Sequence, residues 1–341
     1  MPEPQTWYDG KKFANDDTSR TESTMRTRSW GLVTLAGSLI LAAAGRREVA
    51  PAAEPSAGPP PKTVASLAFT ADGKGFRFDT GALRGSLRAD GRGIGLRPVV
   101  ENSTGKQVTG MFGLLSPYRL LASGDRFGTA AWDWTSQARL LPWGGVKVSW
   151  AADAAHPLDM TATYLFAAPD VVDFEVAVRP RRGLRRFELF LASYFDGFPS
   201  CSACAGAAAG GQPQFIEATR AAGPWQAFPR DTAAAELIKD GRWKCPPNPV
   251  EWTIRPELAM PLAVRRDAGS GLAAVLMAPA RDAFAVSMPY GEEGHRSLYL
   301  SLFGGDLSPG QAASARARLV LRRGISDEQA VRLYREYVGR P

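Results

Sequence analysis

A two-residue hydrophobic rhythm runs through the chain and constrains its fold more than any other feature. In the segment VDFEVAV, Val172, Phe174, Val176 and Val178 alternate with two acids and an alanine. Because successive side chains of a strand point to opposite faces, this alternation predicts a half-buried β-strand. The same period predicts strands over residues 160–166, 186–195, 283–288, 296–303 and 315–323, and shorter ones over residues 76–78, 83–88, 146–150 and 273–278.

Helix signals are few by comparison. Asp231 is placed to cap a short helix that stops at Gly241, and Ser326 with Gln329 forms a capping-box pattern before a C-terminal amphipathic segment. The 35 glycines and 26 prolines argue against a helical bundle, and no βαβ rhythm is present. The sequence therefore predicts an all-β fold, a large antiparallel two-sheet β-sandwich with a few short helices and a C-terminal helix docked on a sheet.

The N-terminal part of the chain has the features of an export signal. Residues 25–45 contain two arginines, an apolar run and a stretch of small residues, which is the pattern of a signal peptide. We expect residues 1–24 to be a non-native extension before a start at Met25, residues 46–62 to be a Pro/Ala-rich linker, and residues 63–341 to form a single β-sandwich domain. The expected location is periplasmic or extracellular, with no stable membrane span after cleavage. An uncleaved N-terminal anchor is the alternative.

The charge of the chain is basic, with 41 Lys and Arg against 34 Asp and Glu. Basic proteins attract nucleic acid, anionic lipid or acidic polysaccharide. The basic residues are scattered among acids and no nucleic-acid motif is present, so nucleic acid is not an expected partner. The exception to the scattering is a cluster of Arg179, Arg181, Arg182, Arg185 and Arg186. No phosphate-binding glycine motif is present either, and we expect no cofactor.

The two histidines of the chain differ in their surroundings. His295 lies in a predicted turn with Tyr290, Glu292 and Glu293, and a carboxylate beside an imidazole can orient it for proton transfer. The alternative is a polar hairpin turn without chemistry. His156 precedes a proline between two predicted strands, and we expect it to be an exposed loop residue.

Tryptophans are the second signal of a binding site, because sugars present apolar C–H faces that stack on indole. Most tryptophans in the body of the protein are expected to serve packing. Trp225 and Trp243 lie in a Pro- and Gly-rich stretch, residues 223–249, and are expected on a loop surface.

The three cysteines are Cys201, Cys204 and Cys245. In an exported protein they predict one disulfide and one spare thiol, with the pairing left open. We expect residues 201–211 to be a cross-linked Gly/Ala-rich loop. A single CxxC pair lacks the second pair of a tetrahedral metal set, so no metal site is expected.

Three segments carry a resemblance to known proteins: FELFLASYFDGF, the stretch from GPWQAFPRD to AVRRD, and MPYGEEGHRSLYLSLFGGDLSPGQ. Over residues 64–338 the chain resembles a group of exported bacterial proteins. Its strand-rich layout is also similar to the galactose mutarotase-like supersandwich, the fold of aldose epimerases and of domains in glycoside hydrolases and polysaccharide lyases. That resemblance implies a sugar-facing concave sheet. Aldose epimerases use two histidines and a glutamate for proton exchange at the anomeric centre and ring oxygen.

The expected function is therefore an exported carbohydrate-recognising β-sandwich, with or without epimerase-like acid/base activity. His295 and Glu292 or Glu293 are the candidate catalytic residues. The candidate substrate-binding residues are Tyr194, Asp196, Trp225, Arg230, Trp243 and Tyr290. A non-catalytic envelope or matrix interaction protein is the alternative, and a polysaccharide lyase-like enzyme is a weaker one.

Overall fold

The computed structural model describes residues 66–73, 75–89, 93–206 and 213–339. The predicted extension, signal peptide and linker lie outside these residues, and their assignment stays a prediction. None of the helices in the described part is long and apolar enough to cross a membrane.

Twenty strands and two α-helices form within the described residues. The strands are β1 (Ser66–Asp72), β2 (Gly75–Asp79), β3 (Leu83–Ala89), β4 (Gly93–Glu101), β5 (Ser116–Ala122), β6 (Asp125–Phe127), β7 (Ser136–Leu140), β8 (Val146–Trp150), β9 (Leu158–Ala168), β10 (Val171–Pro180), β11 (Glu188–Tyr194), β12 (Ser200–Ala205), β13 (Gln214–Glu217), β14 (Trp225–Pro229), β15 (Thr253–Ile254), β16 (Leu258–Asp267), β17 (Leu272–Met277), β18 (Ala283–Pro289), β19 (Ser297–Phe303) and β20 (Ala313–Arg323). The helices are α1 (Thr232–Lys239) and α2 (Asp327–Val338), and three short 3₁₀ turns cover Ala131–Asp133, Arg220–Ala222 and Arg242–Lys244.

The strands form two large sheets and one small one. The nine-stranded sheet has the order β13-β12-β16-β17-β20-β10-β9-β8-β7, the seven-stranded sheet β15-β14-β18-β19-β11-β5-β6, and the four-stranded sheet β1-β2-β3-β4. Pairing between the named strands is antiparallel except for the short β14–β15 pair. All ten predicted strands are present, and the predicted all-β antiparallel sandwich is confirmed.

The main core lies between the two large sheets. Phe174, Val176 and Val178 of β10 are buried in the same cluster as Leu189 and Leu191 of β11. Each such side chain contributes about 1.5–3 kcal/mol on burial, so the alternation that predicts the strands also supplies the free energy that joins the sheets.

Helix α2 covers the outer face of the nine-stranded sheet. Its Tyr334 and Tyr337 are buried against Val264 of β16 and Val275 of β17. The predicted capping box is formed, with the Ser326 side chain accepting from the backbone of the third helical residue. The predicted docking of a C-terminal helix on a sheet is thus confirmed.

The prediction of a cross-linked loop after residue 200 is wrong. Residues 200–205 form β12, where Cys201 and Cys204 are three residues apart and therefore lie on opposite faces of the sheet. All three cysteines are free thiols, so the expected disulfide is absent. Burial raises the pKa of Cys204 to about 11 and also raises that of Cys201, as expected for thiols that serve packing.

The expectation of an exposed His156 is also wrong. Its ring stacks on Trp134 with centroids 4.2 Å apart, and the residue is only 7% exposed. Nδ1 lies 2.9 Å from Asp153 Oδ1, which fixes the ring orientation. One face of the imidazole ring is therefore covered by the Trp134 indole.

Candidate functional site

The outer face of the seven-stranded sheet differs in composition from its inner face. On β19, Ser297, Tyr299 and Ser301 alternate with three leucines that point into the main core. Tyr299 belongs to a second cluster with aromatic residues from other strands and loops. We call this surface the aromatic face and define it by Tyr118, Phe190, Tyr194, Trp225, Trp243, Trp252 and Tyr299.

Two tyrosine hydroxyls lie at the centre of the aromatic face. Tyr299 Oη donates to Tyr194 Oη at 3.4 Å, and Ser297 Oγ donates to Tyr299 Oη at 2.7 Å. Burial raises the pKa of Tyr299 to about 12 and raises that of Tyr194 as well. Both phenols are therefore neutral near pH 7 and able to donate and accept hydrogen bonds, and both residues are buried, with Tyr194 4% and Tyr299 3% exposed.

A histidine–glutamate pair lies at the edge of this face. His295 Nδ1 is 2.8 Å from Glu293 Oε1, and the backbone N–H of His295 donates to Glu293 Oε2 at 2.7 Å. Burial opposes ionisation of Glu293, but the hydrogen bonds from His295 outweigh it and lower the pKa of Glu293. Since a carboxylate only accepts, this contact assigns the proton to Nδ1 and leaves Nε2 as the basic nitrogen.

The turn before β19 holds this pair by backbone hydrogen bonds. The N–H of Glu293 donates to Tyr290 O at 3.0 Å, and the N–H of Arg296 donates to Glu293 O at 3.1 Å. Arg296 has φ of 45°, in the left-handed region that a non-glycine residue enters only at a cost. The turn that places His295 beside β19 therefore contains a strained backbone conformation.

Aromatic rings form the two sides of the site. On one side the ring centroid of Trp225 lies 5.2 Å from that of His295 and 5.9 Å from that of Trp252. On the other side the ring of Phe112 lies 5.1 Å from that of Tyr194, and Trp132 stacks on Phe112 at 5.0 Å. Flat apolar surfaces therefore flank the polar pair and the two phenols.

The segment from α1 to β15 covers the remaining part of the aromatic face. Trp243 is 3% exposed and lies edge-on to Phe190 with ring centroids 4.6 Å apart. Next to it, the Arg242 guanidinium contacts Glu188 Oε2 at 3.1 Å and Asp240 Oδ2 at 2.7 Å, and both the Arg242 and Glu188 side chains are fully buried. This buried ion pair anchors the covering segment to β11.

The structure brings together only some of the predicted site residues. His295, Glu293, Tyr194 and Trp225 meet at the aromatic face, where the ring centroids of Tyr194 and His295 are 6.4 Å apart. Trp243 belongs to the same face but is buried. Trp225 is the first residue of strand β14. The expectation that these two tryptophans lie on a loop surface is therefore wrong.

Tyr290 and Glu292 lie in a separate cleft of about 370 Å³ on the far side of the same turn. There Arg220 Nη2 donates to the Tyr290 hydroxyl at 3.0 Å. Asp196 is exposed after β11. Arg230 forms an ion pair with Asp231 through Nε and donates from Nη1 to the carbonyl of Ala280.

Sequence reasoning missed Tyr299, Trp252 and Tyr118 as members of the site. The signal for Tyr299 is present, because in SLYLSLF the polar and aromatic residues occupy the face opposite the leucines. Trp252 and Tyr118 carry no such signal, since one lies in a loop and the other at an irregularity in the pairing of β5 with β11.

Comparisons with known proteins bear on the fold. No family model and no curated protein matches the chain. Similar solved structures include the Slr1438 protein from Synechocystis sp. PCC 6803, with 12% identity over 76% of this chain and 100% of that chain and a TM-score of 0.49. A galactose mutarotase-like protein from Lactobacillus casei ATCC 334 has 9% identity over 73% of this chain and 100% of that chain, with a TM-score of 0.45.

A galactose mutarotase related enzyme from Lactobacillus acidophilus has 8% identity over 74% of this chain and 98% of that chain, with a TM-score of 0.42. Galactose mutarotase-like proteins are thus among the similar solved structures, as the resemblance in the sequence predicts. Function is inferred instead from the geometry of the aromatic face.

Proposed function

We propose that this protein is an exported β-sandwich that binds a saccharide on the aromatic face. The observation that carries the proposal is the placement of a partly buried indole, Trp225, beside the His295–Glu293 pair and two neutral phenols. Indole matches the apolar C–H face of a sugar ring, while phenol and imidazole exchange hydrogen bonds with its hydroxyls. Residues 25–45 support export, and a secreted protein whose N-terminus follows Ala44 would agree with it.

Catalysis is a second candidate, favoured by the state of His295. Its Nδ1 proton is held by Glu293 and its side chain is 38% exposed, so Nε2 is available to a bound hydroxyl. In an epimerase-like reaction His295 would take the proton of the anomeric hydroxyl while a phenol protonates the ring oxygen. His156 cannot serve as the second histidine, because its ring is buried against Trp134.

Binding is tested by a saccharide array probed with the full chain and with two tryptophan variants. Trp225→Ala removes the stacking surface and should lower affinity by about tenfold or more, the range for loss of a buried aromatic contact. Trp143→Ala is the matched control, because Trp143 is 66% exposed in the turn between β7 and β8 of the other large sheet. Absence of binding to every saccharide, or equal loss in both variants, would contradict the proposal.

Catalysis is tested separately by polarimetry of freshly dissolved aldoses. If His295 is the base, His295→Asn should lower the catalysed rate of mutarotation by about 10²–10⁴-fold, the usual contribution of a general base. Saccharide binding with no mutarotation above the spontaneous rate would refute the catalytic candidate and leave the binding proposal standing.

A further inference from the structure

Arg119 is a buried cation on the aromatic face. It lies opposite Phe190 in the pairing of β5 with β11 and is 3% exposed. Its guanidinium carbon is 5.0 Å from the Tyr118 ring centroid and 4.9 Å from that of Trp243. The only hydrogen bonds that the described residues give it are from Nη2, to Asn248 O at 2.8 Å and to the Tyr118 hydroxyl at 3.3 Å.

A second guanidinium lies close by on β6. Arg126 donates from Nη1 to the carbonyls of Cys245 and Pro247 and from Nη2 to the carbonyl of Thr129. Burial lowers the pKa of Arg126, and the positive charge of Arg119 lowers it further. The Nε atoms of both arginines are buried and have no hydrogen-bond partner within the described part of the chain.

Three carboxylates on this side of the sheet are engaged elsewhere. Glu188 and Asp240 neutralise Arg242, and Glu293 accepts from His295. Among residues 66–339 as far as the structure describes them, neither Arg119 nor Arg126 forms an ion pair. A buried guanidinium, Arg119, and a partly buried one, Arg126, therefore repel each other, and their partners in the described part of the chain are carbonyls, a phenol and aromatic rings. An incoming anion would stabilise this arrangement.

Hydrogen bonds to carbonyl groups alone do not explain why Arg119 and Arg126 are charged residues. Both arginines hold the segment from Cys245 to Asn248, but a neutral donor would satisfy a carbonyl without the cost of burying a charge. A guanidinium, by contrast, matches the planar oxygens of a carboxylate or a phosphate with two parallel donors. The surplus of charge thus points to an anionic group on the ligand.

We infer that the saccharide bound on the aromatic face is acidic, with a carboxylate or a phosphate placed at Arg119 and Arg126. This inference rests on the proposed function, since it specifies the substrate class of the same face. The sugar ring lies against Trp225, and its anionic group is directed toward Arg119 on β5.

The test is calorimetric titration of the full chain with matched neutral and acidic probes. The probes are glucose, glucuronate and glucose 6-phosphate, and galactose with galacturonate, each at 50 mM and 500 mM salt. We expect one acidic probe to bind at least about tenfold more tightly than its neutral counterpart, as a charge-assisted contact predicts. The preference should shrink at high salt, and the tighter of the uronate and phosphate arms identifies the anionic group.

Variants test whether Arg119 causes the preference for acidic over neutral probes. Arg119→Gln keeps a donor for the Asn248 carbonyl but removes the charge, so the ratio of acidic to neutral affinity should fall below about twofold. Arg139→Gln, which removes an exposed charge from β7, is the matched control and should bind as the wild type does. Arg126→Gln provides a second variant if Arg119→Gln does not fold.

The outcomes separate this inference from the proposed function. Equal binding of neutral and acidic probes by the wild type would overturn the acidic class and leave saccharide binding intact. An acidic preference that persists in both folded arginine variants would overturn the assignment to these residues. Binding of no probe at all would overturn the proposed function together with the inference.

Discussion

Removing the buried cation Arg242 should destabilise the protein strongly and in a pH-dependent way. The Arg242 side chain is fully buried against Glu188, whose side chain is equally buried, and it also donates to the carbonyl of Arg186 at 2.9 Å. Arg242→Met fills the space but leaves a carboxylate in the interior without its cation. Breaking a buried pair in this way costs about 3–5 kcal/mol, which lowers the melting temperature by roughly 6–20 °C in a domain of this size.

The pH dependence follows from the direction of the pKa shift. Burial raises the pKa of Glu188 even with Arg242 beside it, and loss of the cation raises that pKa further. A carboxyl whose pKa is raised in the folded state favours folding when protonated and loses that contribution as pH rises through the folded pKa. The variant should therefore be least destabilised near pH 4 and most destabilised at pH 7 and above.

The assay is urea unfolding followed by tryptophan fluorescence and circular dichroism between pH 4 and pH 8. The double variant Glu188→Gln/Arg242→Met removes both fully buried charges, leaves the partly exposed Asp240, and should recover about 1–2 kcal/mol relative to Arg242→Met. A loss below about 1 kcal/mol in the single variant, or no recovery in the double variant, would refute the reasoning.

Further predictions concern the turn at His295, the C-terminal helix and the thiols. Because hydrogen bonds lower the folded pKa of Glu293, its stabilising contribution is present above the unfolded value near 4.5 and is lost as pH falls through the folded pKa. Unfolding free energies measured from pH 3 to pH 7 should therefore show Glu293→Gln less stable than wild type at neutral pH, with the difference vanishing in acid. Gly291→Ala places a Cβ 2.0 Å from Pro199 O, so thermal melting should show a loss of roughly 2 kcal/mol or more, and a wild-type melting curve would contradict this packing. Ser326→Ala removes the capping box and should cost about 1 kcal/mol in urea unfolding, whereas no change would show that α2 is held by packing alone. All three thiols should react with Ellman's reagent in unfolded, unreduced protein, and a count of one would reveal a disulfide.

The fold is predictable where a strand is half-buried. Strands β9 and β10 alternate in sequence because one face meets the main core and the other meets a more polar surface. Strand β12 is different, because β16 pairs with it on one side, β13 on the other, and both of its faces are covered. Its segment SCSACA consists only of small residues and carries no alternation, so nothing in the sequence separates it from a loop.

The candidate site is predictable only where its residues are adjacent in the chain. The His295–Glu293 contact is local, formed within one turn, and the sequence indicates it. The approach of Trp225 to His295 depends on the pairing of β14 with β18 and of β18 with β19, which residue spacing does not encode. The position of Arg119 cannot be predicted from the sequence for the same reason, because it depends on the pairing of β5 with β11 that brings Arg119 against Tyr118 and Trp243.

The most direct test of saccharide binding on the aromatic face is an experimental structure of the full chain with its tightest-binding saccharide. The account predicts a sugar ring within about 4 Å of the Trp225 indole, with a hydroxyl in hydrogen-bond reach of His295 Nε2 or Tyr194 Oη. A saccharide seated instead in the cleft beside Arg220 and Tyr290, or on the nine-stranded sheet, would contradict it.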